Sequence, residues 1–261
     1  MLNELYRTID YLEYLLVSDS RHGTHSPSVY RLLEDVIYQK NQNPVWDGIE
    51  QIRKEMLQSK ARIEILDLGS GKRSGLRKLS EITHRTAKGA KYGRLLHRLI
   101  SAFQPQNCIE LGTGTGITAL YQATAFTQNQ ILHTIEGASS LCEIASYNAQ
   151  RLGIAANIEF HEGDFANKLP ELLQKLQQVD YAYVDGNHTY EATTQYFIKL
   201  LPHLHTKSIL VLDDIYWNEE MRNAWTFIKN HTSVTITIDI FASGLVFFRP
   251  EQAKEHFKIR Y

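Results

Sequence analysis

The strongest constraint on the fold is an alternation of short apolar runs and helical stretches that begins near residue 91. The apolar runs are 108–111, 131–135, 158–160, 179–184 and 208–212, and the helical stretches between them are 117–127, 139–152, 167–178 and 190–201. Short strands separated by helices are typical of a parallel sheet with right-handed crossovers. After a helix over 217–230, the runs 234–240 and 244–248 are joined too closely for a crossover and predict an antiparallel pair. The sequence therefore predicts a doubly wound, Rossmann-like α/β sheet of seven strands that ends in an antiparallel hairpin.

The first 90 residues have a different character and predict a mostly helical N-terminal extension to a domain over 91–261. Apolar residues recur at helical spacing around Leu12–Leu16 and Leu32–Ile37. A short strand near 63–66 precedes a glycine-rich loop, Asp67–Gly71, whose surroundings lack the acid-ended second strand of a nucleoside site. The role of this loop and of the extension is left open.

Two helix starts carry capping signals. Ser26 stands before Pro27, the favoured order of an N-cap residue and a first helical proline. Ser140 and Glu143 have the spacing of a capping box at the start of the helix over 139–152, which is expected to end at Gly153.

Composition excludes several classes of protein. Lys and Arg number 28 against 29 Asp and Glu, and a formal charge of −1 argues against a general nucleic-acid binder. The two cysteines exclude a disulfide framework and a four-cysteine zinc site. No run of about 18 apolar residues predicts a membrane span, and the N-terminal residues lack a secretory pattern. A soluble, cytoplasmic protein is expected.

The main functional signal is the segment Glu110–Gly116, E-L-G-T-G-T-G, between a predicted strand and a helix. Its glycines allow a sharp turn and close approach of a ligand, and the helix start supplies free N–H groups. Glu136 ends the next strand, where a carboxylate can accept hydrogen bonds from both ribose hydroxyls. Asp164 and Phe165 follow the third strand, where they either contact an adenine ring or, for Asp164, cap a helix.

At these residues the stretch from about 91 to 249 resembles class I S-adenosylmethionine-dependent methyltransferases. The resemblance implies that Glu110–Gly116 is the first motif of that family, Glu136 its ribose-binding acid and Asp164 its adenine-contacting acid. S-adenosylmethionine is then the expected cofactor. The candidate cofactor-binding residues are Glu110, Gly112, Thr113, Gly114, Gly116, Glu136, Gly137, Asp164, Phe165 and Asp185.

Acidic residues also follow the fourth and fifth predicted strands. Asp185 follows one, and Asp213 and Asp214 end the other. Carboxylates brought together at one sheet edge repel one another unless a hard cation such as Mg²⁺ neutralises them. The pattern resembles the metal site of catechol-type and macrolide-sugar O-methyltransferases. Asp185, Asp213 and Asp214 are therefore the candidate metal ligands, with the alternative that Asp213 caps the next element and Asp214 is solvated.

His188 lies three residues after Asp185, and we interpret these two as the candidate catalytic residues. An imidazole has an ordinary pKa near ~6.5, which suits a general base at neutral pH. The expected reaction is O-methylation of a small-molecule hydroxyl, for which the acceptor cannot be identified from the sequence. The oligomeric state is also left open, with a homodimer as one arrangement.

Three other functions compete with this hypothesis. A catalytically inactive nucleoside-binding or regulatory protein would keep Glu110–Gly116 and Glu136 without the acceptor side. The G-x-G-x-G spacing and the terminal hairpin disfavour an NAD-dependent oxidoreductase. A nucleic-acid methyltransferase is disfavoured because no N/D-P-P-Y signature follows the fourth strand, where the sequence is Asp185-Gly-Asn-His188. No nucleic-acid partner is expected.

Overall fold

The computed structural model describes residues 2–20, 25–40, 42–65, 75–127 and 129–261, with side chains from Arg7 onward. In chain order the α-helices are α1 Leu2–Val17, α2 Pro27–Leu32, α3 Val45–Gln58, α4 Leu79–Thr86, α5 Ala90–Phe103, α6 Ile117–Ala123, α7 Ser139–Arg151, α8 Phe165–Leu176, α9 Tyr190–Leu200 and α10 Glu219–Asn230. The strands are β1 Arg62–Ile65, β2 Gly75–Lys78, β3 Asn107–Leu111, β4 Ile131–Glu136, β5 Ile158–Glu162, β6 Val179–Val184, β7 Leu204–Asp213, β8 Ile236–Asp239, β9 Ser243–Phe247 and β10 Glu255–Lys258. None of these described helices combines the length and apolar character needed to cross a bilayer. The glycine-rich loop 67–71 lies outside the described residues.

The chain divides into two compact units. Unit 1 is formed by residues 1–39 with 176–261, and unit 2 is formed by residues 40–175. Unit 2 is continuous in sequence, whereas unit 1 joins the two ends of the chain. The boundary expected near residue 90 marks a change in sequence character and remains a prediction.

Unit 2 contains the first three strands of the predicted alternation. β3 pairs in parallel with β4, and β4 pairs in parallel with β5. Parallel neighbours need a crossover connection, which α6 and α7 supply. Cys108, Ile109 and Leu111 of β3 are fully buried, as expected for a parallel strand covered on both faces. This arrangement brings the glycine loop after β3 next to Glu136 at the end of β4.

Unit 1 contains the last two strands of the alternation and the predicted hairpin. β6 pairs in parallel with β7, and β9 pairs antiparallel with both β7 and β8. The antiparallel hairpin is therefore confirmed. The strands β3–β10 number eight, where the sequence predicted seven, because β10 pairs in parallel with β8. Its sequence, Glu-His-Phe-Lys, lacks an apolar run, as is common in charged edge strands.

The capping predictions have different outcomes. α2 begins at Pro27 with Ser26 at the N-cap position as predicted, although the Ser26 side chain makes no capping hydrogen bond. The capping box of α7 is wrong, because Ala138 is the N-cap residue and no side chain caps the helix. The Ser140 hydroxyl instead donates to the carbonyl oxygen of Glu64, at 2.6 Å. The Ser140 hydroxyl, which the local sequence pattern assigned to the helix N-terminus, is therefore bonded to a residue distant in sequence.

Candidate active site

The glycine loop of unit 2 has the backbone that its sequence predicts. Gly112, Gly114 and Gly116 all have positive φ, at 100°, 54° and 86°. The conformation is one that L side chains rarely adopt. Gly116 also lies close to α7, since a Cβ atom there would stand 2.8 Å from the Cβ of Ala145. The loop therefore requires glycine at Gly116 for two independent reasons, strain and space.

The carboxylate of Glu136 is held by the backbone around it. Its Oε2 accepts from the Gly114 N–H at 2.9 Å, and its Oε1 accepts from the Ala138 N–H at 3.0 Å. Each carboxylate oxygen has a second lone pair. The side chain is partly exposed. The structure therefore brings the predicted ribose-binding acid into contact with the predicted glycine loop.

Glu110 has a different environment from the one expected for a cofactor contact. Its side chain is fully buried, and Gln122 and Thr134 each donate a hydrogen bond to it, at 2.6 Å. Burial raises the pKa of Glu110 to about 7, and these hydrogen bonds offset part of that effect. Thr113, from the same motif, shares a 2.5 Å hydrogen bond with the Thr134 hydroxyl. Glu110 and Thr113 thus support the loop from inside.

Asp164 follows β5, and its helix-capping alternative is realised. Its Oδ1 accepts from the Asn167 backbone N–H at 3.0 Å, and its Oδ2 accepts from the Asn167 side-chain amide at 2.7 Å. These bonds hold the pKa of Asp164 below its ordinary value. Phe165 is the first residue of α8 and is partly exposed. Capping leaves lone pairs on the carboxylate, so an adenine contact remains a prediction.

Unit 1 brings three of the predicted acceptor-side residues together. One ligand atom from each of Asp185, His188 and Asp214 lies within 4.8 Å of the others. His188 Nε2 lies 3.6 Å from Asp185 Oδ1 and 4.0 Å from Asp214 Oδ2. The side chains are 16%, 25% and 16% exposed, respectively, so all three are accessible but partly desolvated. Two carboxylates and an imidazole at these distances can bind a cation or move a proton.

Asp213 does not belong to this cluster. Its side chain is buried, and its Oδ1 accepts from the Ser243 hydroxyl at 2.8 Å. Successive residues of a strand point to opposite faces, and Asp214, just after β7, has a positive φ of 51° that turns the chain. The structure therefore separates the adjacent acids, which the sequence treated as one pair of ligands.

Sequence reasoning missed two residues that surround the cluster. The Asn218 amide donates to the His188 carbonyl oxygen at 2.9 Å, while its own Oδ1 caps α10 by accepting from the Met221 N–H. Arg7 of α1 places Nη2 3.9 Å from Asp214 Oδ1 and its guanidinium carbon 5.1 Å from the centre of the Trp217 ring. The sequence could have indicated Asn218, because asparagine is a common N-cap residue before a helix. No local sequence pattern indicates that Arg7 lies near Asp214, more than 200 positions away.

Comparison with known proteins agrees with this geometry. Residues 109–215 match a family model described as a methyltransferase domain. A catechol O-methyltransferase of Niastella koreensis is 26% identical over 124 residues, which cover 47% of this chain and 55% of that protein. A release factor glutamine methyltransferase of Synechocystis sp. is 36% identical over 81 residues, which cover 30% of this chain and 27% of that protein. The chain therefore spans about half or less of the length of these curated relatives.

A solved structure extends the likeness over most of the chain. The O-methyltransferase TomG of Streptomyces achromogenes, described as involved in tomaymycin synthesis and in complex with S-adenosylmethionine, is 20% identical. The match covers 85% of this chain and 95% of that one, with a TM-score of 0.57. At this identity the likeness establishes the fold, and the Rossmann-like α/β prediction is confirmed. Residues 109–215 thus match a methyltransferase-domain family, and the chain shares its fold with a solved O-methyltransferase.

Proposed function

We propose that this protein transfers the methyl group of S-adenosylmethionine to a hydroxyl oxygen of a small molecule. The observation that carries the proposal is the pair of backbone N–H groups, from Gly114 and Ala138, that fix the Glu136 carboxylate against the glycine loop. A carboxylate preorganised in this way loses little freedom when it binds a ribose. The O-methyltransferases among the similar proteins support the choice of a hydroxyl acceptor.

In this proposal unit 2 holds the methyl donor. The Glu136 carboxylate accepts hydrogen bonds from the two ribose hydroxyls, and Gly112, Gly114 and Gly116 let the backbone pass close to the methionine portion. Asp164 accepts from the adenine amino group, and the ring of Phe165 packs against the base. The bound cofactor supplies a methyl carbon that is electrophilic because it is attached to a positively charged sulfur.

The acceptor is served by the cluster of unit 1. His188 Nε2 accepts the proton of the acceptor hydroxyl, and the neighbouring Asp185 and Asp214 carboxylates stabilise the imidazolium that results. The acceptor oxygen, whose proton passes to His188, would form the new C–O bond as the donor's S–C bond breaks. The product is a methyl ether. Orientation of the acceptor and withdrawal of its proton are the tasks of these side chains.

The same cluster fits a divalent cation. Carboxylate oxygens are the ligands that Mg²⁺ prefers, and Asp185 and Asp214, which lie together in the cluster, would hold it. A cation there would lower the pKa of an acceptor hydroxyl. The position of the Arg7 guanidinium near Asp214 supports the view that this carboxylate needs a positive partner.

A glutamine side chain in a protein is the second candidate acceptor. The relative from Synechocystis sp. favours it, since that protein is named a glutamine methyltransferase. The extent of the likeness disfavours it, because that similarity covers 30% of this chain, whereas the likeness to the solved O-methyltransferase covers 85%. A hydroxyl acceptor therefore remains the better proposal.

Ligand binding followed by product analysis tests the proposal. Calorimetric titration with S-adenosylmethionine, its demethylated product and NAD should give binding for the first two alone. Incubation with methyl-labelled cofactor and a panel of catechols, phenols, sugars and polyketides should then place label in a methyl ether. Binding without transfer to any hydroxyl would favour the inactive nucleoside-binding protein. Transfer of label to a protein amide would favour the glutamine acceptor.

A further inference from the structure

A second cluster of metal-ligating side chains lies in unit 2, on the neighbouring strands β4 and β5. His133 of β4 stands opposite Glu159 of β5 in the parallel register, and His161 follows two residues later on the same face of β5. One ligand atom from each of the three lies within 4.8 Å of the others. The proposed methyl transfer uses none of these residues.

The distances between ligand atoms of the three residues match those around a tetrahedral zinc ion. His133 Nδ1 lies 3.2 Å from His161 Nε2 and 3.2 Å from Glu159 Oε2, and His161 Nε2 lies 3.6 Å from Glu159 Oε1. Zinc binds imidazole nitrogen and carboxylate oxygen at about 2.0–2.2 Å, so two ligands at the tetrahedral angle stand about 3.3 Å apart. The three side chains therefore need little movement to bind one ion.

The burial of the cluster also suits a metal. The His133 side chain is 7% exposed, whereas those of His161 and Glu159 are 20% and 42% exposed. The cluster therefore has a buried ligand that anchors it and an open side through which an ion and a water ligand can enter.

A lysine side chain contacts the Glu159 carboxylate, for which a bound metal ion would compete. Lys175 of α8 places Nζ 3.1 Å and 3.3 Å from the two carboxylate oxygens of Glu159. Its side chain is 59% exposed, so the ammonium can leave Glu159 at little cost. A positive charge already balances this carboxylate, and an ion bound to the two imidazoles would replace it.

We propose that His133, Glu159 and His161 form a zinc site that joins β4 to β5. β4 ends at Glu136, and β5 is followed by Asp164. These are the two acids proposed to hold the cofactor's nucleoside. The bound ion fixes the separation of these strands and so has a structural role. This site is independent of the proposed function, because it requires neither S-adenosylmethionine nor an acceptor.

The test is zinc titration of the full chain in the D214N background, which removes one of the three ligands of the cluster of unit 1. We expect one tightly bound equivalent by calorimetry and a rise in melting temperature of roughly 5 °C at about a hundredfold excess over Kd. Adding H161Q or E159Q should each weaken binding at least about tenfold. Cobalt(II) at the same site should give the visible absorption of four-coordinate cobalt, lost with H161Q.

Two further variants make the test specific. H84Q changes an exposed histidine of α4 in the same unit and should leave zinc binding unaltered. K175Q removes the competing ammonium and should tighten binding about two- to fivefold. The proposal is overturned if D214N binds no zinc, or if H161Q and E159Q both bind it as D214N does. A lack of S-adenosylmethionine binding would count against the proposed function and leave the zinc site standing.

Discussion

The candidate cofactor site of unit 2 and the cluster of unit 1 satisfy their carboxylates in different ways. In unit 2, Glu136 accepts from two backbone N–H groups at 2.9 and 3.0 Å, which are uncharged and fixed by the fold. In unit 1, Asp185 and Asp214 face an imidazole at 3.6 and 4.0 Å, and Arg7 lies 3.9 Å from Asp214. The Glu136 carboxylate therefore has hydrogen-bond donors supplied by the protein backbone. The two carboxylates of unit 1 repel each other, and a nearby positive charge reduces that repulsion.

This difference separates binding from chemistry. A carboxylate fixed by backbone donors recognises hydroxyl groups and does not need to change its charge. Two carboxylates beside a histidine respond to protons and cations, which is what a reaction that releases a proton requires. Variants of the two sites should therefore fail in different measurements.

The largest effect is expected for Asp214→Asn. Methyl transfer should fall at least about 100-fold, because the variant removes a charge next to the proposed base and from the proposed cation site. The backbone should tolerate the change, since asparagine readily adopts the positive φ of 51° found there. Initial rates with and without Mg²⁺ after EDTA treatment measure the effect.

Binding of S-adenosylmethionine to Asp214→Asn should be unaltered, as calorimetry would show. Glu191→Gln, at an exposed acid on α9 of the same unit, is the matched control and should keep full activity. If Asp214→Asn were as active as the parent protein and EDTA did not lower the activity of either, the cluster would have no part in the reaction.

The next effect is expected for Gly116→Ala in the cofactor loop. The added Cβ would stand 2.8 Å from Ala145 Cβ in a backbone with φ of 86°. The free energy of unfolding should fall by roughly 2–3 kcal/mol, and affinity for S-adenosylmethionine should fall at least about tenfold. Urea denaturation and calorimetry measure the two quantities.

Gly153→Ala measures the cost of backbone strain without the cost of a steric clash. Gly153 also has a positive φ, of 70°, but apart from its two chain neighbours no residue has a heavy atom within 4 Å of the position that its Cβ would occupy. Its cost should be about 1 kcal/mol, with no loss of cofactor affinity. Equal costs at both glycines would mean that the approach of α7 to the loop is unimportant.

A smaller effect is expected for Glu136→Gln. One of the two backbone donors, Gly114 N–H or Ala138 N–H, would then face an amide NH₂ group in place of an acceptor oxygen. Affinity for S-adenosylmethionine should fall about tenfold, since hydrogen bonds to charged groups are worth about 1.5–3 kcal/mol. Glu162→Gln, at an exposed acid ending β5, is the control for a general change in charge. Unchanged affinity in Glu136→Gln would mean that Glu136 does not bind the ribose hydroxyls.

The last predicted effect is a pH dependence of stability at Glu110. Its pKa is raised to about 7 in the folded protein from an ordinary value of 4.5, so the folded state binds more protons between these values. Stability contributed by this group is therefore present below pH 4.5 and is lost as the pH rises through about 7.

Glu110→Gln removes this dependence and should gain stability relative to the parent, by about 1–3 kcal/mol, between about pH 5 and about pH 8. His133 and His161, whose pKa values are lowered, act in the opposite direction but are present in both proteins. Urea denaturation at the two pH values provides the comparison. A constant difference between the proteins would mean that Glu110 keeps the same charge throughout.

Most of the fold of the two units was legible in the sequence. β6 was predicted with its observed bounds, and the hairpin of β8 and β9 followed from the short link between two apolar runs. Buried parallel strands must be apolar and need crossovers, so composition and spacing carry the signal. β10 was missed because a charged edge strand need not be apolar.

The glycine loop and Glu136 were also determined by the sequence, because positive φ restricts the residue type and strand ends restrict the position. Only the tertiary structure decided that Glu110 is buried, that Ser140 bonds to Glu64, and that Asp213 and Asp214 have separate surroundings. It alone brought Arg7 to Asp214 and His133 to Glu159. Local backbone conformation depends on neighbours in the chain, whereas the partner of a charged side chain depends on which distant elements pack beside it.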